Sequence, residues 1–218
     1  MSTQINLKEI ERNAFRSTHQ DGLWDMYFGL VVMAMSIFMY HPAGGYTPLN
    51  PVMAVLIISA AGSLFMVGKK CITLPRMGQV KFGPMRKRKG ITLAIVLGVL
   101  VLLQVVLLGF TAFGWLNPEA TGRINDFLTS RDLMDVAVAT IAALIVGGSF
   151  TLIAFFNDFT RGYYIALMAS LATFLMVYLN QPLYPILLGA LILLPGLVLF
   201  VRFLRDYPLR TEVTDERA

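Results

Sequence analysis

Six long apolar segments constrain the fold more strongly than any other feature of this chain. Each approaches the roughly 20 residues that a helix needs to cross the hydrocarbon core of a bilayer. They cover residues 24–40, 51–67, 91–115, 133–156, 163–179 and 183–204. A lipid-exposed backbone must satisfy its own hydrogen bonds, so such segments form helices. The pattern predicts an all-α, integral membrane helical bundle, with residues 1–218 as a single membrane domain of six transmembrane helices.

Composition agrees with a chain that is surrounded largely by lipid. Hydrophobic residues make up 56% of the sequence and charged residues 14%, whereas a soluble domain carries about 25% charged residues. The single cysteine, Cys71, excludes an internal disulfide framework and a site built from several thiolates. The two histidines, His19 and His41, leave little for imidazole-rich metal chemistry. We therefore expect no metal and no cofactor.

Basic residues are concentrated in the segments that connect the apolar runs. The stretch from Lys69 to Lys89 alone holds eight of the 18 Lys and Arg. Together with the N-terminal segment, Arg161, Arg202 and the C-terminal tail at 205–218, one predicted side carries 16 of these residues and the other only two. Because cytoplasmic segments are enriched in Lys and Arg, both termini are predicted to be cytoplasmic. The charges lie in short connections and not along one face, which argues against nucleic-acid binding.

The predicted cytoplasmic segments contain the candidate contacts to anionic lipid or to a partner protein. Residues 5–19 read as a short amphipathic helix within the cytoplasmic segment 1–22, lying on the membrane surface or packed as an ordinary solvated helix. In the basic loop at 69–90, alternation on both sides of Met77 and Gly78 predicts a small hairpin. The candidate contact residues are Lys8, Arg12, Arg16, Arg76, Lys81, Arg86, Lys87, Arg88 and Lys89.

The fourth apolar segment has small residues at every fourth position. The row begins at Asp135, ends at Thr151 and contains Ala139, Ala143 and Gly147. Small residues allow helices in lipid to approach closely, which predicts a central packing helix with residues 59–63 as a complementary surface. A sharper alternative makes Asp135 a cation or proton site in an outward-facing cavity.

Two further features lie within predicted spans. Gln104 is the most deeply placed strongly polar residue, and it needs a hydrogen-bond partner there. Pro195 and Gly196 predict a kinked or loosened sixth helix. Asp135, Gln104 and Thr151 are therefore the candidate polar residues inside the membrane.

Four charged residues fall at the predicted inner boundary. They are Asp21, Asp25, Asp158 and Arg161. Asp21 and Asp25 are expected to pair with Arg161 or with the basic loop, connecting the cytoplasmic ends of the helices. Proton-relay carboxylates lie deeper in a membrane, so this arrangement favours a structural role.

Two function hypotheses follow from these patterns. The chain contains no phosphate-binding loop, no zinc-protease motif and no serine-nucleophile motif, so we expect no enzyme. The first hypothesis is a membrane component that engages anionic lipid or a partner protein through its basic cytoplasmic face. The second is a transporter or channel for a small solute or ion. A homo-oligomer is compatible with both.

Three short stretches carry a family resemblance. They are RSTHQDGLWDMYFGL at 16–30, PRMGQVKF at 75–82 with the basic run that follows, and RDYPL at 205–209. They resemble small uncharacterised prokaryotic multi-pass membrane proteins, a group defined by a domain of unknown function. The resemblance implies a prokaryotic cytoplasmic (inner) membrane setting and transfers no activity.

Overall fold

The computed structural model describes residues 19–39, 49–77, 84–116 and 131–208, and all their long regular elements are helices. Each predicted apolar segment coincides with one helix, which confirms the all-α bundle. The predicted amphipathic helix at 5–19 lies outside the described residues. The helices are α1 (Leu23–Ala34, followed by a 3-10 helix at Met35–Met39), α2 (Leu49–Gly68), α3 (Pro84–Leu116), α4 (Arg131–Phe156), α5 (Thr160–Leu179) and α6 (Leu183–Asp206).

Within the part of the chain that the structure describes, four of these helices are long and apolar enough to cross a membrane. They are α2 together with its extension to Met77, α4, α5 and α6, while the apolar helix Leu23–Phe38 is shorter. Large apolar side chains point away from the bundle, and Leu64, Leu144 and Val198 are each about two-thirds exposed. Soluble monomers rarely present extended apolar surface of this kind, so the exterior is suited to lipid. The chain is a membrane protein.

Helix α1 lies at the centre of the described bundle. It packs against α2, α5 and α6, whereas α4 packs along α5 and α3 contacts α4. The buried cluster at this centre contains Phe28 and Val32 of α1, Ile165 of α5 and Ile192 of α6. Because α1 is covered on several sides, it forms the core around which the longer helices pack.

Two pairs of glycines bring α1 and α6 into close contact. A Cβ atom added at Gly22 would lie 2.3 Å from the carbonyl oxygen of Gly196, and one added at Gly29 would lie 2.9 Å from that of Gly189. The glycines are seven residues apart on each helix and pair in opposite order, so the two helices run antiparallel. Gly196 therefore allows close packing of α6, which is one continuous α-helix with Pro195 inside it. The kink or loosening that the sequence predicts here stays a prediction.

The small residues of α4 pack against α5. Ala139, Ala143 and Gly147 are buried. The Ser170 hydroxyl of α5 donates a 3.0 Å hydrogen bond to the Ala143 carbonyl, and a Cβ at Gly147 would lie 2.8 Å from the Ser170 Cβ. The prediction that this row of small residues packs against another helix is confirmed, but the predicted central position is wrong, because α1 occupies the centre of the described bundle. The row's predicted partner surface at 59–63 is wrong, because close packing requires a small surface on the facing helix and α5 supplies it.

A tight turn connects α4 to α5. The Phe159 amide donates to the Ala154 carbonyl at 2.9 Å, and the Asp158 amide donates to the Phe155 carbonyl at 3.2 Å. Asp158 has φ 50°, so the two bonds form a Schellman motif with a non-glycine residue in the left-handed conformation. Asp158 and Arg161 are thereby brought to the same end of the bundle as the start of α1.

Helix α2 continues beyond its predicted end. Residues Lys69–Thr73 form a π-helical segment and Leu74–Met77 a further α-helical turn. The first strand of the predicted hairpin is therefore wrong, because side chains of this extension form hydrogen bonds to α1 and α6 that stabilise it as a helix. The second strand, at 79–82, lies outside the described residues.

Candidate functional site

Polar side chains from four parts of the chain meet at one end of the bundle. This polar end consists of residues 19–25 at the start of α1, 69–77 in the extension of α2, 157–161 in the turn between α4 and α5, and 202–207 at the end of α6. Hydrogen bonds and ion pairs connect these segments to one another. All four are segments, or the ends of spans, that the charge pattern assigns to the cytoplasmic side.

Asp21 is completely buried and joins α1 to the extension of α2. Its Oδ2 atom accepts hydrogen bonds from Lys69 Nζ and Thr73 Oγ1, both at 2.7 Å. Its Oδ1 atom accepts a 3.2 Å bond from the backbone N–H of Leu23. A buried ion pair offsets the cost of its desolvation only when further hydrogen bonds satisfy the remaining lone pairs, and the Asp21 carboxylate has such bonds.

Asp25 and Arg161 join α1 to α5. Arg161 Nη1 lies 3.0 Å from Asp25 Oδ2, and Arg161 Nη2 donates to the carbonyl oxygen of His19. The guanidinium also lies over the Phe159 ring at 5.5 Å. The buried His19 ring is stacked between Phe159 and Trp24. The predicted pairing of Asp21 and Asp25 with the basic stretch and Arg161 is thus confirmed.

Arg76 forms hydrogen bonds to backbone carbonyl groups at the C-terminal end of α6. Its Nη1 atom donates to the carbonyl oxygens of Tyr207 at 2.7 Å and Leu204 at 3.3 Å. The last carbonyls of a helix have no partner within the helix, so this contact acts as a side-chain cap. The sequence predicts Arg76 as a lipid or partner contact; the structure uses its guanidinium within the protein.

Other predicted contact residues remain at the surface. Lys87, Arg88 and Lys89 are exposed at the beginning of α3, and Lys89 Nζ lies 4.0 Å from Asp158 Oδ2. Arg86 belongs to α3, but its side chain lies outside the described part. Lys8, Arg12, Arg16 and Lys81 also lie outside the described residues.

Two of the predicted intramembrane polar residues, Asp135 and Thr151, are not brought together. Asp135 is exposed near the start of α4, and Thr151 is exposed beside a shallow groove of about 610 Å³ between α4 and α5. Sixteen residues separate them, which corresponds to about 24 Å along a helix. Gln104 lies in α3 with its side chain outside the described part. Among the described residues, this arrangement does not favour a transport site at Asp135.

A larger lateral groove of about 800 Å³ opens between α2, α3 and α4 above the aromatic side chains of α1. Its lining is mostly apolar, with a few hydroxyl and amide groups. Trp24 and Tyr27 form part of its base. The lining residues are Trp24, Tyr27, Phe28, Ser59, Gly62, Ser63, Phe65, Met66, Val67, Leu93, Leu97, Ile153 and Asn157.

Sequence reasoning missed both the groove and the glycine pairs. The seven-residue spacing of Gly22 with Gly29 and of Gly189 with Gly196 was a signal for the pairs. Ser59, Gly62, Ser63 and Met66 recur at helical spacing, which was a signal for one wall of the groove. Neither spacing identifies the partner helix.

Comparison of the chain with protein-family models, with curated proteins and with solved structures finds no match. Inferences about function therefore depend on the geometry alone.

Proposed function

We propose that this protein is a non-enzymatic membrane component that binds anionic lipid headgroups through exposed basic residues beside its polar end, at the beginning of α3. The observation that carries the proposal is the division of the cations into two groups. Lys69, Arg76 and Arg161 are used in contacts within the protein. Lys87, Arg88 and Lys89 are instead exposed in three consecutive positions just before the apolar part of α3 begins, with Lys89 in a long 4.0 Å ion pair with Asp158.

The placement of these three cations favours an anionic neighbour. The N-terminal end of a helix carries a partial positive charge, so nearby cations are unfavourable there unless an anion compensates them. Each Lys or Arg close to an anionic membrane surface contributes about 1 kcal/mol of attraction. The phosphates of lipid headgroups supply this compensation at the depth where the apolar part of α3 begins.

The same proposal includes the orientation of the chain. All six helices cross the cytoplasmic membrane of a prokaryote, with both termini and the polar end in the cytoplasm. Support comes from the 16-to-2 distribution of Lys and Arg, and from the contacts that gather the predicted inner segments at one end. Headgroup binding then takes place in the inner leaflet.

The test is a lipid-preference measurement on the full chain. The purified protein in detergent is titrated with phosphatidylglycerol or phosphatidylcholine, and bound lipids are counted by native mass spectrometry. The wild type should retain the anionic lipid preferentially. The double variant Lys87→Gln/Arg88→Gln should lower that preference about thirtyfold, since two attractive charges of about 1 kcal/mol each are removed.

A matched control removes the same charge from the other predicted side. Arg123→Gln/Arg131→Gln should leave the preference unchanged. An equal loss in both double variants would show that net charge alone sets the preference, and an unchanged preference in Lys87→Gln/Arg88→Gln would contradict the proposal.

A further inference from the structure

We propose that the lateral groove is a binding site for one anionic phospholipid, which inserts an acyl chain between α2, α3 and α4 and places its phosphate beside Lys89. The inference rests on the proposed function for the choice of an anionic headgroup. It adds one defined lipid-binding site to the general attraction between the exposed cations and an anionic membrane surface. It also assigns a role to Tyr27 and to the small residues of α2, which lie outside the polar end.

The shape and lining of the groove suit an acyl chain. Its volume of about 800 Å³ lies in the range of sites that hold small organic ligands, roughly 300–1,000 Å³. Gly62 has no side chain, which leaves space in the α2 wall. A Cβ atom added at Gly62 would lie 3.8 Å from the Tyr27 ring. Leu93 and Leu97 of α3 form the opposite wall. A flexible hydrocarbon chain therefore has an apolar surface on several sides.

Cations lie at one end of this apolar groove. Lys89, Leu93 and Leu97 are spaced by four residues, so they share one face of α3, with Lys89 about 6 Å along the helix axis from Leu93 and about 12 Å from Leu97. Lys89 Nζ is 4.0 Å from the carboxylate of Asp158, which follows the lining residue Asn157. Lys69 Nζ lies 5.8 Å from the ring centre of the lining residue Phe65.

This combination of charge and apolar surface selects a lipid as the occupant. An anionic phospholipid has one negative group attached to hydrocarbon chains, and the groove has cations at one end of an apolar surface. The ion pair between Lys89 and Asp158 is long and the Lys89 side chain is 56% exposed, so a phosphate can approach its ammonium group at small cost. A second copy of the chain or a peptide would not require cations at only one end.

Trp24 provides a reporter inside the groove. The chain has two tryptophans, and Trp115→Phe leaves Trp24 as the only one. The variant is reconstituted in phosphatidylcholine vesicles that contain a small fraction of phosphatidylglycerol brominated on its acyl chains. Bromine quenches indole fluorescence at contact. The same fraction of brominated phosphatidylcholine should quench Trp24 less, because it lacks the net negative charge.

Two leucine substitutions test whether the groove itself is responsible. Gly62→Leu fills the groove and should reduce quenching by brominated phosphatidylglycerol to the level of the neutral lipid. Gly98→Leu is the matched control, because a Cβ at Gly98 meets nothing within 4 Å and Gly98 is not a lining residue. It should leave quenching unchanged. Lys89→Gln should lower the advantage of the anionic lipid about fivefold while quenching by the neutral lipid stays the same.

Failure of the site and failure of the proposed function give different results. Native mass spectrometry could show the anionic preference while brominated phosphatidylglycerol quenches Trp24 equally in Gly62→Leu and Gly98→Leu. The lipid then binds elsewhere, and the groove proposal is overturned. If the wild type shows no anionic preference, the proposed function fails. Equal quenching of Trp24 by the two lipids overturns the headgroup assignment. If neither lipid quenches Trp24 and the protein crosslinks to itself, a second copy of the chain occupies the groove and the lipid proposal is overturned.

Discussion

The buried carboxylate of Asp21 holds the start of α1 against the extension of α2 at the polar end. Asp21 is fully buried, yet three hydrogen bonds satisfy its carboxylate. Its side-chain partners, Lys69 and Thr73, lie about 50 residues later in the chain, so these contacts join two segments that are distant in the sequence. Because opposite charges fall at the predicted inner membrane boundary, the sequence predicts that Asp21 forms an ion pair there. It does not predict that Lys69, among eight cations of the basic stretch, is the partner.

Asp21→Asn should destabilise the protein by about 2 kcal/mol, because Lys69 then loses the negative charge of its pair. This is below the usual cost for a fully buried pair, since the Lys69 side chain keeps 20% exposure. Lys69→Met in the Asp21→Asn background should cost little more. Thermal unfolding in detergent of the two single variants and the double variant measures the coupling. Strictly additive losses would contradict the pair.

Gly22→Ala should be severely destabilising, by roughly 2 kcal/mol or more. Gly22 has φ 73°, a conformation that costs other residues about 1–2 kcal/mol, and a Cβ there would also collide with the Gly196 carbonyl oxygen. Gly98→Ala is the control, because its Cβ meets open space in a helix, where alanine is favoured. A melting temperature of Gly22→Ala equal to that of the control would show that α1 and α6 are not in close contact.

At the scale of helices, the sequence predicts which segments are helical but not which helices touch. Runs of about 20 apolar residues identify each helix, because lipid leaves the backbone no other way to satisfy its hydrogen bonds. Partner choice depends on surface shape. The small residues at 59–63 were assigned to α4, but Ser59, Gly62 and Ser63 line the groove. The helical continuation to Met77 was missed because it depends on contacts with Asp21 and with the end of α6.

Gly147→Leu and Gly148→Leu test the packing of α4 on α5 with adjacent positions. The first puts a large side chain against Ser170 and should cost about 1–3 kcal/mol, while the second projects into open space and should be nearly neutral. Heating the detergent-solubilised variants and measuring the remaining monodisperse fraction by size exclusion compares them. Similar losses at both positions would argue against this helix pair.

At the scale of the whole molecule, the orientation can be tested without changing the sequence. Cys71 is the only cysteine of the chain, and it is exposed in the extension of α2 at the polar end. A membrane-impermeant maleimide should therefore label it in inside-out vesicles and not in intact spheroplasts, because the polar end is expected to face the cytoplasm. Labelling of intact spheroplasts would reverse the proposed orientation. Lysed spheroplasts serve as the control for reactivity.

The glycine pairs between α1 and α6 also have a consequence for biosynthesis. About 160 residues separate Gly29 from Gly189, and at roughly 5–20 residues per second a ribosome needs about 10–30 s to make them. In the proposed orientation, α1 enters the membrane during that interval without the helix that covers its glycine face and with Asp25 near the hydrocarbon. We therefore expect the nascent chain to need a temporary partner, either the insertion machinery or a chaperone, until α6 emerges.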